Sequence, residues 1–489
     1  MKIVFVSSEM SPFAKTGGLG DVLGTLPPEI AAMKQDIKVF LPKYKCVNTK
    51  KFALREVIDR FVVPLGQNMI SGSVWATNIG KIEVFFIDHP EFFNRDGLYG
   101  DPEKGDFPDN DRRFTFFQRS VLEVLKAIKF KPDIIHCHDW QTGLIPVYLK
   151  TLYEKDPFFK KTKTVFTIHN LAFHGCFPPD SLPLTGLGWE EFTFHRLEFW
   201  GKVNFLKGGL VYSDMITTVS KRYGQEIQTS EYGCGLEGVL QERKEVLTGI
   251  VNGIDNNEWN PETDMDIYTQ YNVQSAEKKK AQNKTALQKA QNNDVDANIP
   301  LIGMVSRITD QKGFDLILPI LKDIMKLGAQ FILLGMGQEN YHEELKAIQK
   351  KFPKQMKINL KFDGKLAKKI YAASDFFLMP SRFEPCGLGQ LISLRYGAVP
   401  IVRATGGLAD TIEDYNARTG VGKGFCFSKY SSKTLLETIK RGLEVYEDKE
   451  SWWKLVTSDM KCDFSWKQSA KQYLQIYRSV EKQALKVYD

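Results

Sequence analysis

Several short segments of this 489-residue sequence set cations, carboxylates and paired glycines where strands hand over to helices. Lys15-Thr-Gly-Gly-Leu-Gly-Asp-Val22 follows an apolar run and opens a helical pattern. Glycines at such a turn let backbone N–H groups approach an anion, the helix start adds its positive dipole end, and Lys15 adds a full charge. It is not a dinucleotide fingerprint, since Leu23 stands where the third glycine belongs, nor a Walker loop, since no Gly-Lys pair precedes Ser or Thr. Judged on spacing alone, a tight turn with a solvated lysine is the alternative. Ser306-Arg307 and Lys312 follow another strand, and two cations there suit a diphosphate, whose departure needs preorganised positive charge. Ordinary surface cations are the competing reading. Pro380-Ser-Arg-Phe-Glu-Pro-Cys-Gly-Leu388 surrounds one carboxylate, Glu384, with turn residues. Glu384 can hydrogen-bond sugar or ribose hydroxyls, and Gly387 and Leu388 can offer backbone N–H groups. Thr405-Gly406-Gly407-Leu-Ala-Asp410 repeats the pattern of the first loop.

Four of the seven histidines lie between residues 136 and 174, in His136-Cys-His-Asp-Trp140, His169-Asn170 and His174. A zinc site is the natural first thought, but the first two clusters are about 30 residues apart and no metal is expected. His136 reads equally as a buried histidine with satisfied hydrogen bonds. Asp139 and His169 stand at strand ends, where open α/β sheets bind ligands. No carboxylate pair suggests a glycosidase, and no Gly-x-Ser-x-Gly elbow is present.

The elements around these residues follow a βα rhythm. Residues 2–7 read as a strand, 21–33 as a helix with Asp21 a candidate cap, and 37–41 as the next strand, which opens a parallel sheet. Further strands are expected at 82–87, 133–136, 164–168 and 215–219, with a helix at 111–129 and a long loop at 86–110 of the kind that often lines a site. After a polar stretch at 271–298 the rhythm restarts at 301–305, 330–334, 358–362, 376–379 and 399–402. Two Rossmann-like α/β domains are expected, 1–247 and 248–460, with a helical tail at 461–489 that packs back on the first. A net charge of +7, from 66 basic and 59 acidic residues, is too mild and dispersed for a nucleic-acid binder. The densest run, Lys278-Lys279-Lys280, reads as a solvated helix face. Seven scattered cysteines without C-x-x-C suit a reducing compartment. The first residues read as a strand, not a leader, and no apolar run is long enough to span a membrane, so the cytoplasm is expected.

Lys-Thr-Gly-Gly-Leu-Gly-Asp-Val (15–22), His-Asp-Trp (138–140), Phe-Thr-Ile-His-Asn-Leu-Ala (166–172) and Val-Asn-Gly-Ile-Asp (251–255) resemble the bacterial glycogen synthase and plant starch synthase family. So do Ser-Arg-Ile-Thr-Asp-Gln-Lys-Gly (306–313), Ser-Arg-Phe-Glu-Pro-Cys-Gly-Leu (381–388) and Thr-Gly-Gly-Leu-Ala-Asp-Thr (405–411). The matches keep the family's order and run nearly end to end. The resemblance implies a GT-B fold, two Rossmann-like domains facing a cleft. It also implies retaining transfer of glucose from ADP-glucose to the non-reducing end of an α-1,4-glucan such as glycogen, without cofactor or metal. Another GT-B nucleotide-sugar transferase with a different donor or acceptor is the alternative.

By the same likeness, Lys15 and the Gly17-Gly18 backbone, with Asp21 beside them, would meet the donor phosphates and sugar. Arg307 and Lys312 would stabilise the leaving diphosphate. Asp139, His169 and Asn170 would hold the glucose and the reacting centre. Glu384 and the backbone of Cys386, Gly387 and Leu388 would grip the sugar hydroxyls, joined by Thr405 and Gly406, while Phe362 would stack on adenine. Gly389 stands where relatives often carry Thr or Ile. Ile392, eight residues after Glu384, removes the second acid of the Glu-x₇-Glu pattern common in retaining transferases.

Overall fold

The computed structural model describes residues 1–101 and 105–488. The chain forms two compact units, Met1–Ile250 with Trp466–Asp489, and Val251–Ser465.

The first unit is built on nine strands: β1 (Lys2–Val6), β2 (Asp36–Pro42), β3 (Arg55–Leu65), β4 (Asn68–Ile79), β5 (Ile82–Asp88), β6 (Ile134–His138), β7 (Lys163–Ile168), β8 (Met215–Thr218) and β9 (Leu247–Gly249). Their order is β9-β8-β7-β6-β1-β2-β5-β4-β3. All neighbours pair in parallel except at the edge, where β3 and β4 form an antiparallel hairpin and β4 pairs antiparallel with β5. The sequence reading missed this hairpin because much of β3 is exposed and its apolar residues stand side by side, as in Val57-Ile58 and Phe61-Val62-Val63, not in alternation. Its signal was the two-residue connection Gly66-Gln67, with Gly66 in the left-handed region.

Helix α1 (Gly18–Ala32) buries Leu19, Val22, Leu23, Leu26 and Ile30 at helical spacing. It begins three residues before the expected start. Gly17 takes the capping position in extended conformation, so Asp21 is not the cap. Asp21 lies in the first turn, where the helix dipole favours its charge. Helix α2 (Asn110–Ala127) carries Arg113, a fully buried guanidinium. Arg113 donates to the carbonyls of Phe92 and Leu98 and to Asn110 Oδ1, at 2.6–3.0 Å. These bonds pin much of the segment expected as a long loop, which also contains the short helix Pro90–Phe93.

The second unit has six parallel strands, β10 (Leu301–Val305), β11 (Gln330–Leu334), β12 (Met356–Asn359), β13 (Phe376–Met379), β14 (Val399–Arg403) and β15 (Phe425–Phe427). They run in the order β12-β11-β10-β13-β14-β15. β12 ends three residues before the expected 358–362 strand does, so Phe362 falls in the following loop. Helix α3 (Ala276–Ala290) corrects another expectation. Lys280 is buried, not solvated, because it shares a helix face with Ala276, Lys284 and Leu287. Its ammonium donates to the carbonyls of Ala372 and Tyr396, and burial pushes its pKa down to about 7. Lys284 pairs with Asp375 at 2.6 Å.

Helix α4 (Trp466–Tyr488) belongs to the first unit and packs on α1 and β7. Tyr477 of α4 bonds His136 Nδ1 at 2.8 Å, and His136 Nε2 meets Thr167 Oγ1 at 2.6 Å. His136 is thus a buried histidine with both ring nitrogens occupied by protein. The chain's last helix helps fix the strand that carries His138.

Candidate active site

In the first unit the chemistry-bearing residues stand just past the C-terminal ends of three adjacent strands, β7, β6 and β1. Asp139 follows β6 and adopts φ 57°, an uncommon backbone state for a residue other than glycine. That geometry turns its carboxylate onto the next strand, where Oδ1 accepts the N–H of His169 at 2.7 Å. The Asn170 N–H adds a second bond. Asp139 therefore fixes the backbone that presents His169 and Asn170. Desolvation outweighs these bonds and pushes its carboxyl up to about 7. His169 Nε2 meets His138 Nδ1 at 2.9 Å. Burial holds the His169 pKa down at about 3, so this imidazole is neutral at physiological pH.

A carboxyl raised from 3.8 to about 7 keeps its proton in the folded protein across a range where the unfolded chain has lost it. Its contribution to stability therefore falls as pH rises from about 4 to about 7. Asp139→Asn, which keeps the side chain's shape and an acceptor oxygen, should flatten that part of the Tm-against-pH curve. A slope identical to wild type would show that Asp139 titrates at its ordinary value.

The loop after β1 is organised by a residue the sequence reading passed over. Glu9 is 3% exposed. Its carboxylate accepts the Thr16 N–H (2.7 Å), the Thr16 hydroxyl (2.6 Å), the Gly17 N–H (3.2 Å) and the Tyr99 hydroxyl (2.7 Å). Tyr99, from the 86–110 segment, also meets Ser8 Oγ at 2.8 Å, and burial keeps its hydroxyl protonated. The Gly17 amide, expected to face the donor, thus already donates inside the protein. Lys15, at the rim of this loop, pairs with Asp21.

The second unit repeats the arrangement past β10, β13 and β14. Arg307 is exposed and bonds Gln311 Oε1 at 3.2 Å. Lys312 pairs with the buried Glu384 at 2.5 Å, and Ser381 Oγ donates to the same carboxylate at 2.9 Å. Two glycines allow this approach. A Cβ on Gly313 would collide with the Pro380 carbonyl, and one on Gly406 with the Glu384 carbonyl; both have positive φ, 79° and 45°. Gly406 thus has a packing role here, holding the loop of Glu384 in place. Gln390 Nε2 clasps the same loop from below through the carbonyls of Cys386 and Gly387, at 3.0 and 2.9 Å. The Cys386 thiol is buried, receives the Asn252 N–H, and is pushed up to about 12. Thr405 is buried beside Gly406, and Leu388 caps the following helix Gly389–Arg395. Phe362 stands past β12, two strands from β10, and is 96% exposed.

The site residues missed by the sequence reading are Glu9, Tyr99, Ser381 and Gln390, along with the role of His138 in holding His169. The local signals were Glu9, an acid three residues past an apolar strand, and Ser381, which lies within the 381–388 motif.

Each unit therefore offers fixed cations and carboxylates at the carboxyl ends of a parallel sheet, where α/β folds take nucleotides and sugars. Among the described residues no group of three or more His, Cys, Asp or Glu side chains could hold a metal ion. No described helix is long and apolar enough to cross a membrane.

Comparison with known proteins agrees. Residues 2–242 match the family described as starch synthase catalytic domain, and residues 286–454 match glycosyl transferases group 1. The chain is 48% identical to the glycogen synthase of Pseudothermotoga lettingae and 46% identical to that of Koribacter versatilis, in each case across 98% of both chains. The catalytic domain of starch synthase IV from Arabidopsis thaliana, solved bound to ADP and acarbose, superimposes with a TM-score of 0.91. It is 35% identical, over 98% of this chain and 99% of that one. With a GT-B type fold and full-length likeness to enzymes of glucan synthesis, the chain belongs to the bacterial glycogen synthase and plant starch synthase family.

Proposed function

We propose that this enzyme extends an α-1,4-glucan such as glycogen at its non-reducing end, with glucose taken from ADP-glucose and its anomeric configuration retained. The carrying observation is the Lys312–Glu384–Ser381 cluster, a fixed cation beside a fixed carboxylate. The cation suits a diphosphate and the carboxylate suits sugar hydroxyls. In this reading Arg307 and Lys312 neutralise the charge that grows on the departing diphosphate, and Lys15 adds a further cation for the donor. Glu384 and the Cys386–Leu388 backbone orient the glucose, supported by the loop of Thr405 and Gly406, while the exposed ring of Phe362 stacks on the adenine. His169 and Asn170, held by Asp139, contact the sugar near the reacting carbon. A neutral His169 fits that place, since an imidazolium would repel an oxocarbenium-like centre. The 248–460 domain would take the donor and the 1–247 domain the acceptor, with the 461–489 tail bracing the latter. The scattered cysteines and the lack of an apolar spanning segment support action in the cytoplasm.

The test is incorporation of labelled glucose into glycogen with ADP-glucose or UDP-glucose as donor. Extension is expected with ADP-glucose at the higher kcat/KM, and the added units should be removed by an exo-enzyme specific for α-1,4 links. Absence of extension with either donor defeats the reading. A higher kcat/KM with UDP-glucose overturns the donor assignment alone.

A further inference from the structure

A sugar-sized cavity lies in the first unit, away from the residues discussed so far. The short strands Glu198–Phe199 and Lys202–Asn204 form a hairpin turned by Trp200-Gly201. Both turn residues have positive φ, 54° and 74°. Such turns favour Asn, Asp or Gly at the first position. A bulky side chain held there is strained, and strain of this kind clusters at ligand-binding sites. Packing compensates little, because Trp200 is 83% exposed and neighbouring Phe194 is 73% exposed. Between them opens a cavity of about 170 Å³, lined also by Phe199, His195, Glu242 and Arg243. Lys207 holds its wall in place, donating to the carbonyl of Phe194 and, at 2.6 Å, to that of Glu198. Arg243 Nε is a buried donor without a partner among the described residues.

The chemistry selects the ligand. Two carboxylates, Glu198 and Glu242, balance two cations, Lys207 and Arg243, so the cavity has no preference for a charged guest. Aromatic faces with a few convergent polar groups suit an uncharged ring that is apolar on its faces and rich in hydroxyls at its edge. The hairpin that carries the cavity is tied through the chain to the loop that leaves His169. The loop leaving His169 runs to Cys176–Phe177, which pairs with Lys202–Asn204, and the His174 ring stands edge-on to Phe199 at 5.1 Å.

We propose that this cavity binds a glucose unit of the acceptor glucan several residues back from its growing end, with Trp200 as the stacking platform. The proposal rests on the glucan-extending reading of the enzyme. The test is calorimetric titration of maltoheptaose and of maltose, without donor, into the full-length wild type, Trp200→Asn and Phe194→Ala. Asn suits the turn, so Trp200→Asn should fold with a Tm at or above wild type. It should bind maltoheptaose about tenfold more weakly, equivalent to roughly 1.4 kcal/mol, and maltose unchanged. Phe194→Ala, at an exposed position, should weaken maltoheptaose in the same sense. KM for glycogen should rise by the same factor at unchanged kcat. Equal maltoheptaose affinity in all three proteins, or a loss shared equally by maltose, overturns the proposal. Glucan extension is assayed in parallel. A wild type that binds maltoheptaose through Trp200 yet extends nothing refutes the transferase reading and leaves this site standing.

Discussion

Lys312→Ala is expected to lower kcat by about 10²–10³-fold, the scale for removing one preorganised donor from a developing anion. The ammonium is already in place before any donor arrives, 2.5 Å from Glu384 and mostly shielded from water. No reorganisation is needed when negative charge appears on the departing phosphate. The substitution has a second effect that must be separated from the first. It leaves the Glu384 carboxylate buried with, among the described residues, Ser381 donating, and breaking such a pair costs about 3 kcal/mol. Lys312→Ala combined with Glu384→Gln should recover most of the lost Tm, because the stranded charge is gone, without recovering turnover. Arg307→Ala should lower kcat on the same scale with little change in Tm, since Arg307 is exposed and its guanidinium makes a 3.2 Å bond to Gln311. Near wild-type turnover in folded Lys312→Ala or Arg307→Ala would sink the assignment of leaving-group stabilisation to these cations.

Glu9→Ala should damage the first unit's site nearly as much, by a different route. Four donors converge on this carboxylate, two of them from the backbone of the glycine loop. Thr16 and Gly17 are exposed and Tyr99 half-buried, so water can satisfy part of what truncation strands, and the cost is about 1–3 kcal/mol only for a donor that water does not reach. It also frees the loop that carries Lys15. Misplacing a binding group by about 1 Å can cost about 10²-fold, so kcat/KM for the donor should fall by that order. Glu9→Gln keeps one acceptor oxygen but turns an amide toward the remaining donors, and it should fall between. Tyr99→Phe, which removes one of the four, should be the mildest of the three. The check is steady-state kinetics against donor concentration together with Tm for each variant. A folded Glu9→Ala protein with wild-type kcat/KM would show that the loop holds its shape without this carboxylate.

The βα rhythm was legible because it is local. Short apolar runs broken by glycine and polar turns fix where strands end, and strand ends are where α/β sheets bind ligands. That was enough to place Lys15, Asp139, His169, Arg307, Lys312 and Glu384 at the edges of two sheets. The antiparallel β3–β4 hairpin escaped because β3 buries just Val63 and Leu65 near its end, too short a buried face to write an alternation into its sequence. Lys280 was misread because a run of three lysines says nothing about which one lies on the inner face of its helix. The carbonyls of Ala372 and Tyr396 that accept it come from elements about 90 and 116 positions away.

The same division holds inside the site. The sequence by itself determined the chemical inventory: which cations, carboxylates and histidines stand at strand ends, and which glycines accompany them. Only the tertiary structure decided the pairings. Glu9 meets Tyr99 from 90 positions away, His138 meets His169 from 31, and Lys312 meets Glu384 from 72. Each of these contacts depends on which strands lie side by side. Strand order is settled by packing helices on both faces of a sheet, not by the residues within any one turn. The close approaches that make the second site rigid, Gly313 on Pro380 and Gly406 on Glu384, have the same origin. A glycine in a sequence announces that some backbone comes near, and the fold alone says whose.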